Sequence, residues 1–370
     1  MTVTLAENDD QAVQRPNREL PAYQSAAIPF LDLFAGAGGL SIGLAEAGFL
    51  PVGAIEPMED AARSYEDWHD LEVDRRRLEE IPERELRAWK GSVGLVVGGP
   101  PCQPWSTGGL RLAEKDSRDG FPAMLRALRA IEPDAFLIEN VAGIEREEAR
   151  PYFETLVQSL ISMGYIVAFE TLDAADFGVP QHRRRTFIVG TRTRKIDFPI
   201  PTHGPEANAP WLAAGTVVGH VPQGELNPSI VSYAKRPHLR PSPYDGLLFN
   251  GGGRPIDLSR PARTILASAG GNKTQFIDTE GVVPEYHALL WDEDAGKPRP
   301  GYTKNVRSGM VPGARRITVQ ESGRLQSFPD EMVFHGTKSV QYTLVGNAVP
   351  PRLAAAVGKA LKASLVSAPA

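Results

Sequence analysis

The chain has a single cysteine in 370 residues, Cys102. One cysteine excludes an intramolecular disulfide and any metal site built from clustered cysteines. Proteins of a reducing compartment keep their thiols free. We therefore expect a cytoplasmic protein without a bound metal.

Long hydrophobic runs are also missing. No apolar run approaches the roughly 18 to 20 residues of a membrane helix, and the N-terminus lacks a signal-peptide pattern. With 42% hydrophobic and 23% charged residues, the composition is that of an ordinary globular protein. A chain of this length can form two domains, and no membrane partner is expected.

Negative charge exceeds positive charge overall, and the net charge is −5. It is also unevenly divided: residues 181–320 contain 19 Lys and Arg against 11 Asp and Glu, whereas the remainder contains 21 against 34. A basic segment on an acidic chain favours a localised face for a polyanion, although a solvated basic surface would give the same count.

The only cysteine follows a short apolar run that ends at Gly98-Gly99 and continues as Pro100-Pro101-Cys102-Gln103-Pro104-Trp105-Ser106. Such a run is typical of a buried parallel strand, and open α/β sheets bind ligands at the carboxyl ends of their strands. Most free cysteines are small buried hydrophobic residues, but a packing cysteine needs no rigid prolines on both sides. The segment therefore predicts a catalytic thiol.

A glycine turn follows the first apolar segment, residues 28–34, and leads into a helical pattern. Glycines let the backbone approach a ligand, and the helix N-terminus adds a favourable partial charge. The dinucleotide fingerprint needs a glycine where this chain has Ser41. The turn leaves two interpretations open, a dinucleotide oxidoreductase or an S-adenosylmethionine site. Glu56 ends the next strand, where a carboxylate can accept both ribose hydroxyls or provide a negative charge at a helix N-terminus.

Three further patterns carry polar residues. Glu139 ends an apolar strand, where a general acid would lie in the same cleft as the cysteine. Arg183 and Arg185 are two residues apart, so in an extended segment they share one face. Asn347 follows a glycine, which alone is only a turn signal.

Together these motifs resemble those of the cytosine-5 DNA methyltransferases, particularly the bacterial restriction-modification enzymes. The resemblance covers residues 29–200 and 312–362. It implies an α/β fold with the Rossmann-like, doubly wound sheet of the S-adenosylmethionine-dependent methyltransferases and a smaller, irregular target-recognition domain.

The expected domain organisation follows from this resemblance and from the dense prolines and glycines after Pro199. Residues 1–27 form a disordered leader, residues 28–198 with 328–370 the catalytic and cofactor-binding domain, and residues 199–327 the target-recognition domain.

The resemblance implies that Cys102 is the nucleophile, Glu139 the general acid, Arg185 a donor to the carbonyl oxygen of the base, and Arg183 a supporting residue. Burial must then raise the pKa of Glu139, whereas the Cys102 thiol needs a lowered pKa.

The implied cofactor is S-adenosylmethionine, with Phe34 packed on its adenine and Glu56 bound to its ribose. The cofactor-binding residues are expected to be Phe34, Gly36, Gly38, Glu56, Asp74, Pro100 and Asn347. Asp74 is the candidate for the adenine amino group, although Asp70 or Glu72 could serve instead.

The implied partner is double-stranded DNA, and the enzyme is expected to act as a monomer. A cognate restriction endonuclease that acts on the same DNA site can be a second partner. The loop of residues 106–120 is expected to close over DNA. The candidate DNA-binding residues are Arg111, Arg118, Arg236, Arg240, Arg254 and Lys273. Two alternatives are a tRNA cytosine-5 methyltransferase, which shares the pocket motifs, and a catalytically silent DNA-binding regulator, which the intact catalytic set argues against.

Overall fold

The computed structural model of the protein describes residues 27–101, 119–219 and 221–366. These residues form two compact units. The first unit contains the described residues of Met1–Asp173, Arg184–Ile200 and Pro351–Ala370, and the second unit contains those of Ala174–Arg183 and Pro201–Pro350.

The boundaries of the two units differ in part from the expected domain boundaries. The change at Ile200 lies close to the expected boundary after residue 198, whereas residues 328–350 fall in the second unit. The expected leader lies outside the described residues, except for Ala27.

A seven-stranded sheet forms the centre of the first unit. Its elements up to the last strand are, in chain order, β1 (Ile28–Leu33), α1 (Gly39–Glu46), β2 (Phe49–Ile55), α2 (Glu59–His69), β3 (Val73–Asp74), α3 (Glu83–Arg87), β4 (Leu95–Gly98), α4 (Phe121–Ile131), β5 (Ala135–Val141), α5 (Arg150–Ser162), β6 (Ile166–Asp173) and β7 (Arg184–Thr191). The strand order is β3-β2-β1-β4-β5-β7-β6. Strands β1 to β5 pair in parallel, and β7 is antiparallel to both of its neighbours.

Burial on both faces explains the apolar runs of the central strands. All four residues of β4 are buried, as are the first six of β5. Helix α4 buries Phe121, Met124, Leu128 and Ile131, which recur with the helical period. Full burial of such a side chain contributes about 1.5–3 kcal/mol. The central strands share one hydrophobic core with helices α3, α4 and α5.

Short regular elements make up the second unit. They are β8 (Tyr233–His238), β9 (Leu247–Phe249), β10 (Phe276–Asp278), α6 (Val282–Leu290), β11 (Trp291–Asp292), β12 (Lys297–Pro298), β13 (Ala314–Arg316), α7 (Val319–Leu325) and α8 (Lys338–Asn347). Their strands pair as three two-stranded sheets, β8 with β9, β10 with β13, and β11 with β12. The dense prolines and glycines of this segment are compatible with its irregular backbone.

Helix α9 (Pro351–Val366) belongs to the first unit and packs against α1. The contact is close, because a Cβ atom at Gly43 would lie 2.2 Å from the carbonyl oxygen of Pro351. Lys359 forms an ion pair with Glu46 at 3.0 Å, and the Lys362 ammonium donates to the carbonyl oxygen of Gly48 at 2.9 Å.

No helix within the described ranges is long and apolar enough to cross a membrane. In the same part of the chain, no group of three or more His, Cys, Asp or Glu side chains could hold a metal ion.

Candidate active site at the carboxyl edge of the sheet

Strand register brings the carboxyl ends of the parallel strands to one edge of the first unit. Leu33 pairs with both Ile55 and Gly98, and Gly98 pairs with Ile138. A Cβ atom at Gly98 would lie 2.0 Å from the carbonyl oxygen of Leu33, so only glycine fits there. The residues that follow these four positions are Phe34, Glu56, Gly99 and Glu139.

The glycine turn after β1 has the backbone that its sequence predicts. Gly36 and Gly38 have φ angles of +56° and +89°, which glycine adopts without strain. Phe34 also has a positive φ, +63°. For a residue with a bulky side chain this conformation costs on the order of 1–3 kcal/mol, and such strain is concentrated at functional sites.

Glu56 holds this turn from the end of β2. Its Oε2 accepts the N–H of Gly36 at 2.9 Å, and its Oε1 accepts the N–H of Met58 at 2.8 Å. Burial raises the pKa of Glu56, against the effect of these two hydrogen bonds. The carboxylate thus lies directly beside the turn at the end of the neighbouring strand.

Asp74, the candidate for the adenine contact, ends β3. Its side chain forms an ion pair with Arg76 at 2.6 Å, and this contact lowers the pKa of Asp74. The alternatives Asp70 and Glu72 are exposed. The choice among the three stays a prediction.

A buried polar chain beneath the glycine turn was missed at the sequence level. Ser41 donates to Asp32 Oδ2 at 2.5 Å, and the Tyr65 hydroxyl donates to Ser41 Oγ at 3.0 Å. The His69 ring packs against Tyr65 with ring centroids 4.4 Å apart. Burial raises the pKa of Asp32 to about 7 and lowers that of His69 to about 4. An aspartate inside an apolar strand was the available signal for Asp32, and nothing comparable marked Tyr65 or His69.

Glu139 and Arg185 form an ion pair at the end of β5. Arg185 Nε lies 2.7 Å from Glu139 Oε1, and the two side chains are only 12% and 9% exposed. Arg185 comes from β7, opposite Val141 in the register. Burial lowers the pKa of Arg185, against the effect of Glu139. The sequence predicted both residues for one cleft, and the structure brings them into contact.

The segment that leads into Cys102 is held at both of its prolines. Asn140 Nδ2 donates to the carbonyl oxygen of Pro100 at 3.0 Å, and the N–H of Gly120 donates to that of Pro101 at 2.9 Å. A Cβ atom at Gly99 would lie 3.1 Å from Glu139 Oε2. Three of the predicted site residues, Cys102, Arg111 and Arg118, lie outside the described residues.

Arg183 belongs to the second unit and is fully buried there. Its guanidinium donates to the carbonyl oxygens of Ile265 at 3.0 Å, Gly346 at 2.7 Å and Ala348 at 2.9 Å. Two of these residues flank Asn347, which is exposed at the end of α8. The supporting role of Arg183 in catalysis and the cofactor role of Asn347 stay predictions.

The four remaining DNA-binding candidates all lie in the second unit. Arg236 is exposed within β8, and Arg240 is exposed just beyond that strand. Arg254 is half-buried and Lys273 is exposed, in two separate glycine loops.

The fold and these side chains define the class, a Rossmann-like α/β protein with a glycine turn after its first strand and an acid–arginine pair at the same sheet edge. A family model described as C-5 cytosine-specific DNA methylase matches residues 28–363. The chain therefore belongs to the C-5 cytosine-specific DNA methylase family. The family predicted from the motifs is confirmed, and its members are enzymes.

Curated relatives agree with this family. The type II methyltransferase M.AplI of Arthrospira platensis is 31% identical over 95% of this chain and 90% of its own length. The type II methyltransferase M.MthTI of Methanothermobacter thermautotrophicus is 31% identical over 90% of this chain and 97% of its own length. Both relatives are methyltransferases by name, which agrees with the match to the methylase family.

Solved structures agree with the fold. The Dnmt2 methyltransferase of S. pombe superimposes with a TM-score of 0.65 at 16% identity, over 92% of this chain and 99% of its own. The DNMT2 of Spodoptera frugiperda gives a TM-score of 0.64 at 17% identity, over 91% and 99%. The predicted α/β, Rossmann-like methyltransferase fold is confirmed.

Proposed function

We propose that this enzyme transfers a methyl group from S-adenosylmethionine to carbon 5 of a cytosine that is flipped out of a specific double-stranded DNA sequence. A covalent adduct between the base and Cys102 is part of the proposal. Its main support is the buried pair of Glu139 and Arg185, which lies beside the Gly99-Pro100-Pro101 segment leading into the cysteine.

Covalent addition answers a chemical problem, because carbon 5 of cytosine is a poor nucleophile. Attack of the Cys102 thiolate on carbon 6 converts the ring into an enamine whose carbon 5 can form the new bond. A proton from Glu139 to ring nitrogen 3 keeps negative charge from accumulating. Loss of the carbon 5 proton to water, return of the proton on ring nitrogen 3 to Glu139 and expulsion of the sulfur then restore the aromatic ring and the free thiolate.

The Glu139–Arg185 pair suits one edge of cytosine. That edge carries ring nitrogen 3 next to the carbonyl oxygen, so an acid and a cation in contact can engage both. The nitrogen and oxygen of the pair are 2.7 Å apart. Arg185 also donates to the carbonyl oxygen of Arg184, which orients its guanidinium. A base bound here would receive a proton from Glu139 and a hydrogen bond from Arg185.

The residues at the glycine turn fit S-adenosylmethionine. The Cβ position of Gly36 has no heavy atom within 4 Å, so the space there is open. The Glu56 carboxylate lies beside it and suits the ribose hydroxyls, and Phe34 supplies an aromatic face for adenine. Gly38 and Pro100 complete the proposed contacts in this unit, with Asp74 for the adenine amino group. Asn347 is a further proposed contact of the cofactor. When bound, the cofactor supplies an electrophilic methyl group.

Glu56→Ala is expected to weaken S-adenosylmethionine binding by about 1.5–3 kcal/mol, the range for a hydrogen bond to a charged group. Titration calorimetry measures this difference, and thermal unfolding checks the fold. Glu59→Ala is the matched control, because Glu59 is an exposed carboxylate three residues away that pairs with Arg75. Equal affinity of the Glu56 variant and the wild type would show that Glu56 does not bind the ribose. NADH should not bind to either protein.

Transfer of labelled methyl groups tests the substrate. We expect label in duplex DNA and none in tRNA, since more than a hundred residues beyond the pocket motifs suit reading of a duplex. Label only in tRNA would support the RNA enzyme, and label in neither would support the silent regulator. Bisulfite sequencing of a plasmid from expressing cells would identify the methylated site.

The second unit is our proposed site of target recognition, within residues 199–327. Clamping of DNA by these residues would offset the few kcal/mol that base flipping costs. The names of the type II relatives support a cognate endonuclease that acts on the same site. We further propose that the enzyme acts in the cytoplasm and as a monomer, since one copy carries the complete motif set.

A further inference from the structure

Two adjoining cavities lie between glycine loops of the second unit. They have volumes of about 430 and 260 Å³ and share Gly251, Ser268 and Lys273 in their lining. The first glycine loop is residues 250–254 and the second is residues 270–273. A space of this combined size admits a sugar–phosphate unit rather than a single water molecule.

Cationic side chains line the two cavities. Lys273 lines both, Arg254 and Arg263 line the smaller one, and no aspartate or glutamate lines either. Asp245 forms an ion pair with Arg263, so the charges of Arg254 and Lys273 are left in excess. Arg254 Nε is buried and has no hydrogen-bond partner within the part of the chain that the structure describes. This excess charge lies in a chain whose net charge is −5.

The remaining lining is small and hydroxyl-bearing. Ser268, Ser339 and Thr343 contribute hydroxyls to the larger cavity, next to the loop glycines. Gly251 and Gly252 have φ angles of +79° and +82°, which glycine adopts readily. Gly251 packs against Asn272, whereas no heavy atom lies within 4 Å of the Cβ position of Gly252, so the backbone is open to close approach there. Hydroxyls, backbone N–H groups and a lysine point charge bind phosphate without reading sequence.

Arg316 holds the two loops together. It is 1% exposed and donates to the carbonyl oxygens of Thr274 and Asn250 and to Asn250 Oδ1, at 2.6 to 3.0 Å. Burial lowers the pKa of Arg316 to about 10, so its charge persists at neutral pH. These acceptors are uncharged, and a Cβ atom at Gly253 would lie 2.4 Å from Arg316 Nη1. Arg316 is therefore a positioning residue that adds positive charge directly behind the first glycine loop.

We propose that these cavities bind the phosphodiester backbone of the DNA substrate, with Lys273 and Arg254 as its cationic contacts. The site rests on the proposed function, and it assigns these two residues to phosphate rather than to base reading. Arg236 and Arg240 do not line either cavity.

Lys273→Gln in the full chain tests the assignment. Equilibrium binding to the methylated duplex and to an unrelated duplex is measured between 50 and 200 mM NaCl, and the slope of log K against log salt is compared with the wild type. We expect the variant to weaken both duplexes by the same factor and to reduce the slope by about 1, the value for one lost phosphate contact. Lys297→Gln is the matched control, since Lys297 is exposed in β12 and lines neither cavity.

Several results would overturn the phosphate site. One is a slope for Lys273→Gln equal to that of Lys297→Gln, and another is a loss confined to the methylated duplex, which would indicate base reading. If inorganic phosphate binds to the wild type but not to Lys273→Gln, while the salt slope for DNA binding is unchanged, the cavities bind a free anion and not the DNA backbone. A wild type that methylates and binds duplex DNA while the variant slope is unchanged leaves the proposed function intact and removes only this site. Absence of duplex binding by the wild type contradicts both.

Discussion

Cys102→Ser is expected to abolish methyl transfer to DNA, with a loss on the order of 10⁴-fold or more, as for the removal of an enzyme nucleophile. A serine hydroxyl is far less acidic than a thiol, so its nucleophilic form is almost absent near neutral pH. Binding of S-adenosylmethionine should change by less than about twofold, because the thiol is the proposed nucleophile and not a proposed cofactor contact. Scintillation counting of labelled DNA and titration calorimetry measure the two quantities.

A mechanism-based trap provides the control for this variant. DNA that carries 5-fluorocytosine should give an SDS-resistant adduct, since fluorine cannot leave in the final elimination. Cys102 is the only cysteine in the chain, so a sulfur adduct can form at no other residue. The adduct should require both the cofactor and Cys102. Substantial turnover by Cys102→Ser, or an adduct formed by it, would rule out covalent catalysis through this thiol.

Glu139→Gln is expected to lower kcat by about 10²- to 10⁴-fold, the usual contribution of a positioned general acid. Glutamine has nearly the same shape but cannot protonate ring nitrogen 3. It also removes the carboxyl group that pairs with Arg185 in a site where both side chains are buried. Single-turnover methylation separates this effect from binding, and thermal unfolding reports any loss of stability.

The control for Glu139 is Glu148→Gln, because Glu148 is an exposed carboxylate in the segment after β5. We expect wild-type rates for this variant. If Glu139→Gln also turns over at the wild-type rate, Glu139 is not the general acid. A slower rate with normal affinity for S-adenosylmethionine is the expected combination.

Strands β4 and β5 could be predicted because each is a short, mainly apolar run next to glycine or a charged residue. The apolar run before Gly99 forms β4, which begins at Leu95. Gly94, just before the strand, still hydrogen-bonds with Pro29 and Ala135. The local sequence pattern is sufficient to predict strands whose structure is determined by burial in the sheet.

Hydrogen bonds between residues far apart in the sequence could not be predicted. The spacing of Arg183 and Arg185 predicts a shared face, but Arg183 makes its hydrogen bonds with carbonyl oxygens 82 to 165 residues away. Arg316 likewise depends on Asn250, 66 residues earlier. Neither partner is marked by a local pattern, because any residue offers a carbonyl oxygen. The same holds for the hydrogen bond between Tyr65 and Ser41.

The packing of α1 against α9 has a consequence for biosynthesis. Lys362 contacts Gly48 across 314 positions of the chain, and Gly43 is tightly covered by Pro351. A ribosome delivers α1 early and α9 only after the whole second unit has emerged. Until α9 is synthesised, the apolar face of the nascent α1 is exposed, and chaperones can bind it. Completion of the first unit thus requires prior synthesis of the second unit.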